Sequence, residues 1–395
     1  MTQPTPHFIR GIAANLTYWQ EQMRRLTDAD ARTFLQEQAN LLLAVEMGLA
    51  PPETRPSTAT LLLQLFPLIE RCGYWERWLP LWQTAVSVHP NNEPTQRSRL
   101  LTRLGQLRRL NGQLDQALRL HQEAEAAAHQ SGDAWSLAEA WGNLALDYHA
   151  RRAYDLAESY GQQALTLFSA LDNAEKWQGS LWNTLGQVSL EQQDFAQAEA
   201  RLRRSAAIWQ QLQQSTQLAR ILKNLGILFQ QQQNYIVAGH CYQEALHHLA
   251  ATDSELDKIQ VHINLGVLHF LQQQYTQAEV AFRLADSFLR RHHGSYMTQA
   301  IVAQNLGNVL VKQQRPAEAL VCLQQATVLW QQLQDNLNLA NTLGTLGEAL
   351  GLLSDVQTAV TTYDEALTLL ARHPTHPWAQ ELQREFLMER AALLE

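Results

Sequence analysis

The chain has 395 residues, 30 Lys and Arg against 38 Asp and Glu, and a formal net charge of −8; phosphate affinity depends on clustered basic residues, so this balance argues against a constitutive nucleic-acid binder. Its three cysteines, Cys72, Cys241 and Cys322, lie far apart with no C-x-x-C spacing, which excludes a disulfide framework and a cysteine zinc site and fits a reducing compartment. No apolar run reaches bilayer length and residues 1–10 lack the apolar stretch of a secretion signal, so the expectation is a cytoplasmic protein without membrane contact.

Apolar residues fall at helical spacing over residues 8–26 and 30–49, with Asp28 or Asp30 as a candidate N-cap. The run Pro51-Pro52-Glu53-Thr54-Arg55-Pro56-Ser57 reads as a break, so residues 1–57 form an N-terminal helical segment. Two further helices are predicted over 58–71 and 74–88, joined at Cys72-Gly73, and residues 58–94 read as a degenerate first repeat closed by the turn His89-Pro90-Asn91-Asn92-Glu93-Pro94. Trp75, Trp78 and Trp82 stand there at helical spacing and read as core.

From residue 95 to 372 one word recurs seven times at steps of 40 or 41 residues: Leu104-Gly105, Leu144-Ala145, Leu185-Gly186, Leu225-Gly226, Leu265-Gly266, Leu306-Gly307 and Leu346-Gly347. Twelve residues after each small residue stands an alanine, from Ala117 to Ala359. Such a period is the signature of stacked repeats, each an antiparallel helix pair. In the third repeat, helices are predicted over 177–192 and 195–212 with Asp194 as N-cap; Asn234-Tyr235, Arg315-Pro316 and Ser354-Asp355 are the equivalent joints. Between repeats lie turn-prone clusters such as Ser131-Gly132-Asp133, Thr252-Asp253-Ser254 and His292-His293-Gly294, and the Gln tracts 230–233 and 272–274 read as solvated helix surface. Residues 373–395 read as a capping helix that closes the apolar end of the stack.

A glycine inside a helix costs roughly 0.5–1 kcal/mol relative to alanine, so six of them need an offset. Ala145 stands for glycine in the second repeat, and alanine does not take φ > 0 comfortably; the requirement is therefore small bulk where two helices approach. Trp141 and Trp182, four residues before the small residue, and Tyr242, Phe282 and Tyr363, sixteen after it, read as the filling.

Trp141, Leu144, Ala145, Tyr148, Ala157 and Ala164 together resemble the tetratricopeptide repeat, whose usual period is about 34. The longer period is similar to the variety found in kinesin light chains and bacterial peptide-sensing regulators. The resemblance implies an all-α, right-handed superhelical solenoid whose concave wall is lined by the first helix of each pair. The residue before each word then faces that wall: Arg103, Asn143, Thr184, Asn224, Asn264, Asn305 and Thr345. A carboxamide donates to one peptide carbonyl and accepts from one N–H, so Asn143, Asn224, Asn264 and Asn305 suit an extended backbone of any sequence. The alternative is that these amides bond to neighbouring helices within the stack. Neighbouring positions one and four residues earlier add Arg99, Arg220 and Lys223, with Lys312 further along its helix, a positive charge that suits an acidic partner segment or simply a solvated face.

The expected function is a non-enzymatic scaffold binding an extended peptide segment of another protein. The second reading is a peptide- or protein-sensing regulatory module of a bacterial signalling system. The stretch 38–46, with Gly73-Tyr74-Trp75 and residues 82–85, also resembles the start of the sensor arm of signal-transducing ATPases. No phosphate-binding loop, nucleophile elbow or H-E-x-x-H is present, and the pairs His247-His248 and His292-His293 lack the spacing for zinc, so no catalytic residue, metal or cofactor is expected.

Overall fold

A computed structural model describes residues 5–25, 31–72, 75–89, 93–252, 254–292 and 295–395. The expected cap at Asp28 or Asp30 and the turn residues 73, 90–92, 253, 293 and 294 lie outside the described residues. The helices, in order, are α1 (Pro6–Arg25), α2 (Ala31–Leu49), α3 (Arg55–Cys72), α4 (Trp75–Val88), α5 (Pro94–Leu110), α6 (Leu114–Ser131), α7 (Ala134–Ala150), α8 (Tyr154–Ser169), α9 (Glu175–Glu191) and α10 (Phe195–Gln211). Then come α11 (Ser215–Gln231), α12 (Tyr235–Leu249), α13 (Glu255–Leu271), α14 (Tyr275–His292), α15 (Tyr296–Lys312), α16 (Pro316–Gln332), α17 (Asn336–Leu352), α18 (Val356–Leu370) and α19 (Pro377–Ala392). Among the described residues there is no strand; the fold is all-α, of consecutive helix pairs.

The chain divides into two compact units, residues 1–208 and 209–395. In the first, α1 to α4 enclose a core in which Trp78 and Trp82 are fully buried. Trp78 stacks on Phe34 and Trp82 meets Phe66 edge-on, so the tryptophan cluster is packing. The break after α2 is shorter than the composition suggests: a 3₁₀ turn at Pro52–Thr54 leads directly into α3, where Pro56 sits in the first turn and its missing N–H costs nothing.

The repeated word lies on the first helix of each pair, and its small residue faces the second helix. A Cβ on Gly226 would lie 2.3 Å from the Tyr242 ring, one on Gly266 2.6 Å from Phe282, one on Gly307 2.5 Å from Leu323 and one on Gly347 2.7 Å from Tyr363. The second repeat shows the rule in reverse. Its word carries Ala145, and the residue sixteen positions later, where other repeats place His121, Leu202, Tyr242 or Phe282, is Gly161. One member of the pair must be glycine; the chain has exchanged which one.

The two helices of a repeat are joined by one residue in left-handed conformation: Gly112, Arg152, Gln193, Gln233, Gln273, Gln314 and Ser354. The N–H of the next residue reaches back five positions each time, as from Asn234 to the Phe229 carbonyl at 2.8 Å, closing a Schellman motif. The Gln tracts therefore end in the turn itself, not in helix surface. Side-chain caps start α10, α12 and α18: Asp194 Oδ1 accepts from the Gln197 N–H at 3.0 Å, Asn234 from the Val237 N–H and Asp355 from the Thr358 N–H. In the second unit α19 packs on α17 and α18, with Phe386 filling the space left by Gly344. It covers the end of the stack as a cap must.

Candidate peptide-binding wall

The residues before the words lie on one face of α5, α7, α9, α11, α13, α15 and α17, and the two units use that face differently. In the first unit the polar groups are engaged with each other. Arg103 lies over the rings of Phe66 and Trp177, 4.9 and 5.9 Å from their centroids, and its Nη2 is 2.5 Å from Oε1 of the buried Glu139. That contact is a close ion pair without hydrogen-bond alignment, since the same Glu139 oxygen has no hydrogen-bond partner. Asn143, 2% exposed, donates to the Glu139 carbonyl at 2.9 Å and accepts from Gln106 Nε2 at 3.0 Å and Arg109 Nη2 at 3.1 Å. Its amide satisfies neighbouring helices. Thr184 is buried and its hydroxyl donates to the Ser180 carbonyl.

Behind Asn143 lies a buried charged group. Arg109 Nη1 is 2.9 Å from Asp147 Oδ1, and Asp147 Oδ2 is 2.5 Å from His121 Nδ1; His121 and Asp147 are wholly inaccessible. His121 Nε2 lies 3.1 Å from the Thr102 carbonyl, so both ring nitrogens face acceptors. The group occupies the place that Leu, Tyr or Phe fills in later repeats.

In the second unit Arg220 forms a bidentate pair with Asp257 of α13, at 2.8 and 3.0 Å. Asn224 is buried and already engaged. The remaining three expected residues differ. Lys223 is half-buried and among the described residues makes no ion pair, and burial lowers its pKa; Asp257 opposes that shift and Arg220 adds to it. Asn264 and Asn305 are half-buried, and among the described residues neither amide makes a hydrogen bond. Three residues on from Asn305, Asn308 holds a buried Oδ1 with no partner. Asn308 follows its word instead of preceding it, so the phase that picks out Asn305 passes over it. Half-buried Ile227, Val267 and Phe270 supply apolar surface on the same helices.

Charge is otherwise paired on this face: Lys312 meets Glu348 at 2.8 Å. Among the described residues no group of three His, Cys, Asp or Glu could hold a metal ion, and no helix is long and apolar enough to cross a membrane. Among the described residues, this face of the second unit combines side-chain amides with apolar surface on packed helix pairs.

The family model of the tetratricopeptide repeat matches residues 177–251 and 298–372. These two stretches are tetratricopeptide repeats. The two matched segments cover α9 to α12 and α15 to α18, and the pairs α5 with α6, α7 with α8 and α13 with α14 keep the same word and the same turn. No curated protein matches the sequence. Among solved structures, the chain is similar to the apo form of the quorum sensor NprR from B. thuringiensis, with 15% identity over 91% of this chain and 99% of that one, TM-score 0.58. It is also similar to aspartyl phosphate phosphatase F from Bacillus subtilis, with 14% identity over 96% and 97% of the two chains, TM-score 0.57. A third likeness is to a signal transduction ATPase with a tetratricopeptide repeat sensor from Pyrococcus horikoshii, with 15% identity over 92% of this chain and 56% of that one, TM-score 0.57. At these identities the likeness is one of fold.

Proposed function

We propose that this protein is a non-enzymatic scaffold that holds an extended segment of another protein against the first helices of its second unit. The observation that carries the reading is that Lys223, Asn264 and Asn305 keep polar groups half-buried and unspent, while their counterparts in the first unit are bonded inside the stack. Polar groups that are not committed inside the stack can meet a bound peptide without first breaking internal bonds. Asn264 and Asn305 then each take one N–H and one carbonyl, and Lys223 takes a carboxylate, so the segment is acidic at that point. Ile227, Val267 and Phe270 receive its apolar side chains.

Asn143 and Arg103 take no part in this version, because binding there would first have to break their internal bonds. Arg220 and Asn224 stay as supports for the wall. A sensing role is the second reading, favoured by the likeness to a quorum sensor; it uses the same wall and adds a change of shape on binding.

Displayed twelve-residue peptides selected on the full chain supply ligands for the test. Lys223→Ala/Asn264→Ala/Asn305→Ala is expected to weaken the selected peptides at least tenfold, about 1.4 kcal/mol, without loss of helical signal. Arg103→Ala/Asn143→Ala is expected to leave affinity unchanged. Equal affinity of the triple variant and the wild type overturns the proposal.

A further inference from the structure

The first unit holds a feature that peptide binding on the second does not use. Between α1 and α2 lies a cleft of about 410 Å³ whose floor is Ile12, Trp19 and Ala44 and whose rim carries Phe8 and Leu43, half exposed, with Asn15 beside them. Its volume falls in the range of sites for small organic molecules, about 300–1,000 Å³. Gly11 opens onto it from the interior of the 20-residue α1.

Gly11 is the one exposed glycine inside a described helix, and a Cβ there would meet nothing within 4 Å. Gly112 and Gly132 are equally open, but both have positive φ and form turns. The other helical glycines are buried or half-buried within the fold. A glycine in a helix weakens it, and here neither packing nor backbone geometry among the described residues calls for one. What uses the space comes from outside. Asn15, four residues on and so on the same face, is exposed and among the described residues makes no side-chain hydrogen bond, which leaves one donor group and one acceptor at the edge of the cleft.

We infer that the cleft between α1 and α2 binds a small amphipathic molecule, whose flat apolar body lies over Gly11 onto Trp19 and Ile12 and whose polar edge meets the Asn15 amide. This site stands on different residues from the peptide wall, so either can fail without the other.

The test uses N-phenyl-1-naphthylamine, a neutral fluorophore with a bicyclic apolar body and one N–H, titrated into the full chain. Saturable one-to-one binding is expected, weakened at least tenfold by Gly11→Leu, which fills the cleft, and several-fold by Asn15→Ala. Because a Cβ at Gly11 has free space, Gly11→Leu should melt no earlier than the wild type. Should that variant misfold, Leu43→Gln on the opposite wall decides by the same loss. Absence of saturable binding, or binding unchanged by these substitutions, overturns the inference. So does a Gly11→Leu chain whose only change is a smaller sedimentation coefficient, since the face would then be a contact between copies.

Discussion

Asp147→Leu is expected to destabilise the first unit by about 3–5 kcal/mol, the usual cost of removing one member of a buried charge pair. His121 and Asp147 are fully buried, and Arg109 completes the group at 2.9 Å. The single substitution leaves the buried His121 and the partly exposed Arg109 without their carboxylate. The double variant His121→Leu/Asp147→Leu should lose far less, within about 1–2 kcal/mol of the wild type, because replacing a buried charged group by apolar side chains is often neutral. The chain contains its own precedent: the position of Asp147 is Leu107, Val188, Leu228, Leu268 and Val309 in other repeats, and that of His121 is Leu202 and Leu323. Urea unfolding followed by tryptophan emission checks both, since eight of the eleven tryptophans lie at or before residue 182. Equal losses in the single and double variants would show that the charges are not coupled.

Gly226→Ala is expected to destabilise the second unit by about 1–2 kcal/mol, a helix-forming substitution that nonetheless harms. Alanine gains roughly 0.5–1 kcal/mol of helix propensity, but its Cβ would stand 2.3 Å from Tyr242 Cε1. The ring is fully buried and its hydroxyl donates to Gln230 Oε1 at 3.1 Å, so it has no room to swing away. Overpacking of this kind costs about 1–3 kcal/mol. A cycle with Tyr242→Gly, which recreates the Ala145 and Gly161 pair of the second repeat, should show a favourable coupling of about 1–2 kcal/mol. Thermal melts of the four chains give the answer, and strict additivity would refute the pairing.

These two expectations show where the sequence is a good guide. The recurrence of Leu-Gly at 40 or 41 residues announces helix pairs and small bulk, because packing at a close crossing permits few residue types. Gly226 and Gly266 then stand where that reading puts them, each under an aromatic ring. The linking residue was less legible: only Gly112 advertises φ > 0, while Gln233, Gln273 and Gln314 take it under the pull of the Schellman bonds.

The candidate wall was legible only in part. The period places Asn143, Asn264 and Asn305 on equivalent faces, but it cannot say which amide is already satisfied. Asn143 is satisfied by Gln106 and Arg109, 37 and 34 residues earlier and off the repeated pattern. A hydrogen bond between neighbouring repeats depends on one side chain reaching across, and such contacts change from repeat to repeat while the backbone does not. Asn308 illustrates the same limit, since its orphaned oxygen reflects local burial that no spacing encodes.

A crystal structure of the full chain with a selected peptide tests the central claim most directly. The account predicts an extended backbone along α11, α13 and α15, with the Asn264 and Asn305 amides about 2.7–3.2 Å from its peptide groups and a carboxylate beside Lys223. A peptide seated elsewhere, with those two amides left facing solvent, would contradict it.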